Sequence, residues 1–299
     1  MPILALLHPV ARIEWTRWTI HPSTVIGLAV LAALWFWRAR AADASRGQRP
    51  PTAAQTIAFL GGLFAIFVSL NGPLHDLSDS FLFSAHMVQH LTLTLVAPPL
   101  LLVGTPGWMI RPALDVPVPG AILRRITRPI ACFVSFNVVV AAWHLPPLYN
   151  SAVALHSIHI AQHLMFMTVA VLMWWPYLSP LPELPRLSYP GQMLYSFLMV
   201  IPMSIVSIYI AMADEVLYPA YAIAPRVWSI SPMQDQMIGG LIMWIPGGLF
   251  FYGVMSVVFF KWVASGAADD TASAQVACPM AVDGEGSSAV EPLSVPVTR

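Results

Sequence analysis

Ser84-Ala-His-Met-Val-Gln-His-Leu-Thr-Leu-Thr-Leu-Val-Ala-Pro-Pro-Leu-Leu-Leu-Val103 reads as a membrane-spanning helix with two histidines one turn apart near its start. The pattern recurs. His86-Met-Val-Gln-His90 is echoed by His159-Ile-Ala-Gln-His163, which also opens an apolar helix. Working outward from these two segments decides both the fold class and the place to look for chemistry.

The chain has 299 residues, 58% hydrophobic and 9% charged. Soluble domains carry about 25% charged residues, so this composition belongs to an all-helical, multi-pass membrane protein. The 14 basic and 14 acidic residues cancel, and no nucleic-acid partner is expected. Cys132 falls in a span and Cys278 in the tail, with no Cys-x-x-Cys pair, so no disulfide framework is read. The first residues lack the charged-then-apolar order of a cleavable signal, and the first span is expected to insert as an uncleaved anchor.

Crossing the hydrocarbon takes about 20 apolar residues. Segments 20–37, 54–71, 81–103, 127–143, 156–175, 191–212 and 236–262 qualify, giving a polytopic bundle of seven predicted transmembrane helices. One set of loops holds Arg38, Arg40, Arg46, Arg49, Arg111, Arg124, Arg125, Arg128, Arg186 and Lys261. The other holds Arg12, Arg17 and Arg226. By the positive-inside rule the N-terminus is outside and the C-terminus inside. The expected organisation is an outer N-terminal arm over 1–19, a membrane domain over 20–263 and a disordered cytoplasmic tail over 264–299. The expected location is the bacterial inner membrane, with the lipid bilayer as the first partner.

The topology sets the histidines at one level. The third and fifth spans run in the same direction. At ~1.5 Å per residue, His86 and His90 lie about 7 and 13 Å below the outer edge, and His159 and His163 about 5 and 10 Å below it. His144 closes the fourth span in that layer and His156 opens the fifth. Met203, Asp235 and Met237 also fall near it. Ionisable groups within spans normally face the bundle interior and mark a site. Imidazole is the commonest metal ligand, and thioether sulfur adds a preference for Cu(I). His86, His90, His159 and His163 are therefore the expected copper ligands, with His144, Met203 and Met237 completing or relaying the site. Gln89, Gln162, Asp235 and His156 stand behind them, where a polar group can take the other ring N–H and orient the imidazole.

Haem is the chemical rival, since two histidines on facing helices can ligate one iron. That reading makes the chain a haem-bearing membrane oxidoreductase. A metal-free assembly scaffold, whose histidines only join helices, is the other alternative. Zinc hydrolysis lacks its base, because Gln stands where His-Glu-x-x-His needs Glu. No catalytic constellation is present, and the chain is read as a non-enzyme. His75, Asp76 and Asp79 read as a solvated turn, with attraction of cations to this small acidic outer loop as the alternative, His8 and His21 as bystanders on the outer arm, and Trp143, Trp174, Trp175, Trp228 and Trp244 mostly as interface markers.

Further motifs extend the pattern: Ala97-Pro-Pro-Leu-Leu-Leu-Val-Gly104, Trp143-His-Leu-Pro-Pro-Leu-Tyr149 and Pro232-Met-Gln-Asp-Gln-Met237. In order and spacing, over roughly residues 55–262, the sequence resembles the CtaG family of seven-helix membrane proteins linked to assembly of haem–copper cytochrome c oxidase. The resemblance implies a role in maturing the oxidase through copper handling on the outer side. The recipient would be an oxidase subunit or another copper protein. It implies no ligand set; the histidines above are nominated by topology.

Overall fold

The computed structural model describes residue 15 and residues 18–277, all-helical with no strand among them. Helix α1 (Pro22–Arg40) starts on a proline whose missing N–H costs nothing there and ends on Arg38 and Arg40. Its one buried side chain, Trp35, stacks on Phe59 and donates its indole N–H to the Gly104 carbonyl at 3.2 Å. Helix α2 (Ala53–Leu70) opens with a reciprocal capping box between Thr52 and Gln55.

The segment 72–80 is where the structure departs from the sequence reading. It is a helix, α3 (Pro73–Ser80), and His75, Asp76 and Asp79 on it are buried. Residues just before α1 cover it: Thr19 donates to the Asp76 carboxylate at 3.1 Å, and the His21 amide donates to Asn71 Oδ1 at 2.8 Å. One oxygen of Asp76 and the Asn71 side chain are thus met by protein instead of water. Gly72 makes the turn into α3 at φ +74°, ψ −157°, a region open to glycine alone. A Cβ there would also sit 2.6 Å from the Trp18 ring. Gly72→Ala is expected to cost about 2 kcal/mol, read as a lower thermal midpoint in detergent. An unchanged midpoint would mean that this turn relaxes freely.

Helix α4 (Phe83–Val103) carries the first histidine pair. Pro98 has no N–H to offer the Thr94 carbonyl, and the helix loosens into a π turn over Thr92–Val96. The freed Thr94 oxygen accepts the Trp174 indole N–H at 3.0 Å. Trp174 is therefore a buried partner of this break and not an interface marker; Trp143 and Trp175 are buried as well, while Trp228 and Trp244 are exposed.

Helices α5 (Pro117–Ile126) and α6 (Pro129–His144) form a pair bent by 78°. A short α7 (Pro146–Ala154) leads into α8 (His156–Leu178), which bears the second histidine pair. Then follow α9 (Tyr189–Ala211), a five-residue α10 (Pro219–Ile223) and α11 (Pro232–Ala277). Among the described residues six helices are long and apolar enough to cross a membrane, or seven if the bent pair makes one crossing. One large core cluster links α4, α6, α8, α9 and α11 through residues such as Met87, Phe136, Met173, Met203 and Phe251.

The chain divides into a compact unit through Phe259 and a second from Phe260. Helix α11 runs on to Ala277, through the first part of the stretch read as a tail. That part is rich in alanine, the strongest helix former. The arm before residue 15, with His8 and Arg12, and the tail beyond 277, with Cys278, lie outside the described residues.

Candidate metal centre

Spacing of i, i+4 puts His86 and His90 on one face of α4, and His159 and His163 on one face of α8. The structure turns these faces toward each other, and all four imidazoles are buried. Ring centroids lie 5.5 Å apart for His86 and His159, 5.9 Å for His86 and His163, and 4.3 Å for His159 and His163. One ring nitrogen from each of these three comes within 4.8 Å of the other two. A metal at ~2.0–2.1 Å from each nitrogen wants them about 3.5 Å apart. Small ring rotations would close the triad on an ion. His90 sits alongside, 4.2 Å from His86 and 5.6 Å from His163, and His144 is 5.8 Å beyond it.

The surroundings decide which nitrogen each ring offers. The Tyr221 hydroxyl spends its hydrogen on the Ser78 carbonyl at 2.7 Å. At 3.3 Å from His86 Nδ1, it can then only accept from that ring. His86 thus carries its proton on Nδ1 and leaves the Nε2 lone pair free, and Nε2 has no hydrogen-bond partner among the described residues. Tyr149 lies 3.1 Å from Tyr221, and burial pushes both phenols well above their usual range, so they stay neutral. His144 follows the same logic. Its Nδ1 lies 2.7 Å from the Val140 carbonyl, which can only accept, so Nε2 holds the lone pair and is likewise unpartnered.

Asp79 joins the triad to α3. Its carboxylate oxygen lies 3.6 Å from His159 Nδ1 and 3.4 Å from His75 Nε2. Gln89 donates to the Ser69 carbonyl at 2.7 Å and lies 3.2 Å from His75 Nδ1. A carboxylate behind Nδ1 of His159 directs its Nε2 outward, the usual arrangement behind a metal-bound imidazole.

His21 packs on His75 with centroids 4.4 Å apart and lies 6.2 Å from His156; His75 in turn is 6.4 Å from His159. Every histidine of the described residues therefore belongs to one connected cluster. His21, His75 and Asp79 were missed in the sequence because nothing local marks their burial. Tyr149, on α7, carried a signal in its place within the Trp143–Tyr149 motif. A cavity of about 490 Å³ borders the cluster, lined by His21, His75, His156, His159 and His163 together with apolar residues such as Leu28, Leu101 and Met167.

Of the remaining nominated residues, His156 is exposed at the cavity and Gln162 is buried with neither amide atom bonded among the described residues. Met203 lines a smaller chamber with His90 and His144. Met237 is 42% exposed and lines neither space. Asp235 is fully buried and accepts from the Phe83 and Ser84 amides at 2.7 and 3.1 Å and from the Ser84 hydroxyl at 2.5 Å. It thus caps α4, whose own cap residue Leu82 has no polar side chain.

Comparison with known proteins adds the lineage. The family model described as cytochrome c oxidase caa3 assembly factor matches residues 29–265. Uncharacterized proteins of Mycobacterium bovis and Mycobacterium tuberculosis are each 29% identical over 239 residues, covering 74% of this chain and 36% of theirs. One of Mycobacterium leprae is 25% identical over 223 residues, covering 69% of this chain and 34% of its own. The chain thus spans about a third of the length of these relatives. No solved structure matches it.

Proposed function

Because the chain belongs to the cytochrome c oxidase caa3 assembly factor family, we propose that it serves oxidase maturation by holding copper, as Cu(I), and handing it on. The recipient is an oxidase subunit or another copper protein, met at the outer side of the bacterial plasma membrane. The ion is cargo, and no chemical turnover is involved.

The observation that carries this reading is the buried triad of His86, His159 and His163, with ring nitrogens within 4.8 Å of one another. Charge favours a monovalent ion. Three neutral imidazoles bring no negative charge, and the carboxylate next to them is that of Asp79, at 3.6 Å from His159. One carboxylate balances Cu(I), whereas a divalent ion would leave an excess charge in a poorly solvated site. Haem fits less well. It needs an open slot between facing imidazoles, and His90 and His163 crowd the space around the facing pair His86 and His159, whose ring centroids are 5.5 Å apart.

The test is copper content and an optical spectrum on protein purified in detergent, with copper supplied under reducing conditions. Stoichiometric copper without a Soret band is the expected result. A Soret band would replace this reading with the haem oxidoreductase, and neither copper nor haem would leave a metal-free scaffold.

A further inference from the structure

Beyond the triad the structure sets apart a second group of donors, among them His90, His144 and Met203, which the sequence reading joined to a single copper site. A chamber of about 30 Å³ lies among α4, α6, α8, α9 and α11, and its wall includes His90, His144, Met87, Met203 and Met243. A space of ~10–15 Å³ already admits one water, so this one is sized for a single small ion. We infer that it is a second metal site, of mixed nitrogen and sulfur donors, for a soft monovalent cation. The inference deepens the copper proposal and rests on it.

The donors are set up for this. Neither ring nitrogen of His90 has a hydrogen-bond partner among the described residues, nor does Nε2 of His144, and both rings are more than nine-tenths buried. Other polar groups in the wall are already engaged. Thr94 donates its hydroxyl to the His90 carbonyl at 2.7 Å. The Asn137 amide donates to the Phe133 carbonyl at 2.8 Å and lies 3.6 Å from the Met199 sulfur. A bridging water needs about 2–4 polar partners, and the chamber offers it few besides the imidazoles. Thioethers are poor partners for water and good ones for Cu(I).

Met203 has its place secured by the helix opposite. A Cβ on Gly247 of α11 would fall 2.3 Å from its methyl carbon and 3.2 Å from its sulfur. Glycine there lets the thioether lie directly against the backbone. His90 stands between the two sites, 4.2 Å from His86 and 5.8 Å from His144 by ring centroids. With neither nitrogen engaged among the described residues, the ring is free to take the tautomer that turns its one lone pair to the chamber. The all-nitrogen triad would receive the ion, and the sulfur-bearing chamber would select against Zn(II), which favours imidazole without thioether.

Silver(I), a soft monovalent probe without redox chemistry, separates the possibilities in the detergent-purified full chain. The wild type is expected to take up about two silver ions per chain, with sulfur among the neighbours seen by X-ray absorption and one ion displaced by excess Zn(II). Met203→Leu with Met243→Leu, a near volume-conserving change, should lose one ion and all sulfur scattering. His159→Ala with His163→Ala should keep one ion, the sulfur-bound one. Uptake of a single ion with nitrogen neighbours only, unaffected by the leucine pair, overturns the second site and leaves the copper proposal standing. No uptake of silver or Cu(I) by the wild type overturns both.

Discussion

A chain carrying His159→Ala and His163→Ala is expected to bind Cu(I) at the triad about 10⁴-fold more weakly than the wild type. The magnitude follows from ligand number. A four-ligand structural metal site is worth roughly 10–16 kcal/mol, so one imidazole contributes about 3 kcal/mol, or roughly a hundredfold in affinity. Two of the three triad imidazoles are removed, and His86 alone cannot hold the ion. Competition against a Cu(I) chelator of known affinity measures the loss. If the triad holds copper as proposed, added copper should raise the thermal midpoint of the wild type, and that rise should shrink in the variant. The metal-free variant should fold. Deleting the His163 ring leaves a small cavity, but it also removes a buried nitrogen that has no partner. Unchanged affinity in this variant would place the copper elsewhere.

How much of this was legible in the chain itself depends on how local each signal is. The two His-x-x-Gln-His stripes were readable because helix periodicity and span length are local, and running both spans in one direction put the pairs at one depth. Pro98 announced a break, but only the fold shows that the break becomes a π turn whose free carbonyl is met by Trp174. Asp79 and His75 looked like a wet turn because eight polar-rich residues after Asn71-Gly72 carry no sign of being covered. Their burial comes from residues 18–21 folding over α3, a long-range fact. Met237 illustrates the opposite error. Depth alone nominated it, yet two positions on from Asp235 is about 200° round the helix. Asp235 and Gln236 face inward and Met237 outward. Depth is read from the count of residues; the facing of a helix is fixed by its neighbours.

The cap on α4 shows how far the site depends on such a neighbour, and its removal has the second large effect. Asp235→Ala is expected to destabilise the protein by about 4 kcal/mol. Three charge-assisted hydrogen bonds are lost. More costly still, the Phe83 and Ser84 amides remain buried at the positive end of α4 with no acceptor, at roughly 1–3 kcal/mol each. Asp235→Asn keeps one carbonyl oxygen but turns an NH₂ toward a donor, so about half the loss should return. His86 lies one turn from this cap. If the first turn of α4 frays, His86 moves relative to His159 and His163 on α8, and copper affinity at the triad should fall by about 10–100-fold, as when a ligand's support is removed. Thermal midpoints of both variants in detergent, with chelator competition on the same samples, report the two effects separately. A variant that melts early yet binds copper as the wild type does would show that the triad is held by α3 and Tyr221 and not by the capped turn. One that melts normally would show that the amides find another acceptor.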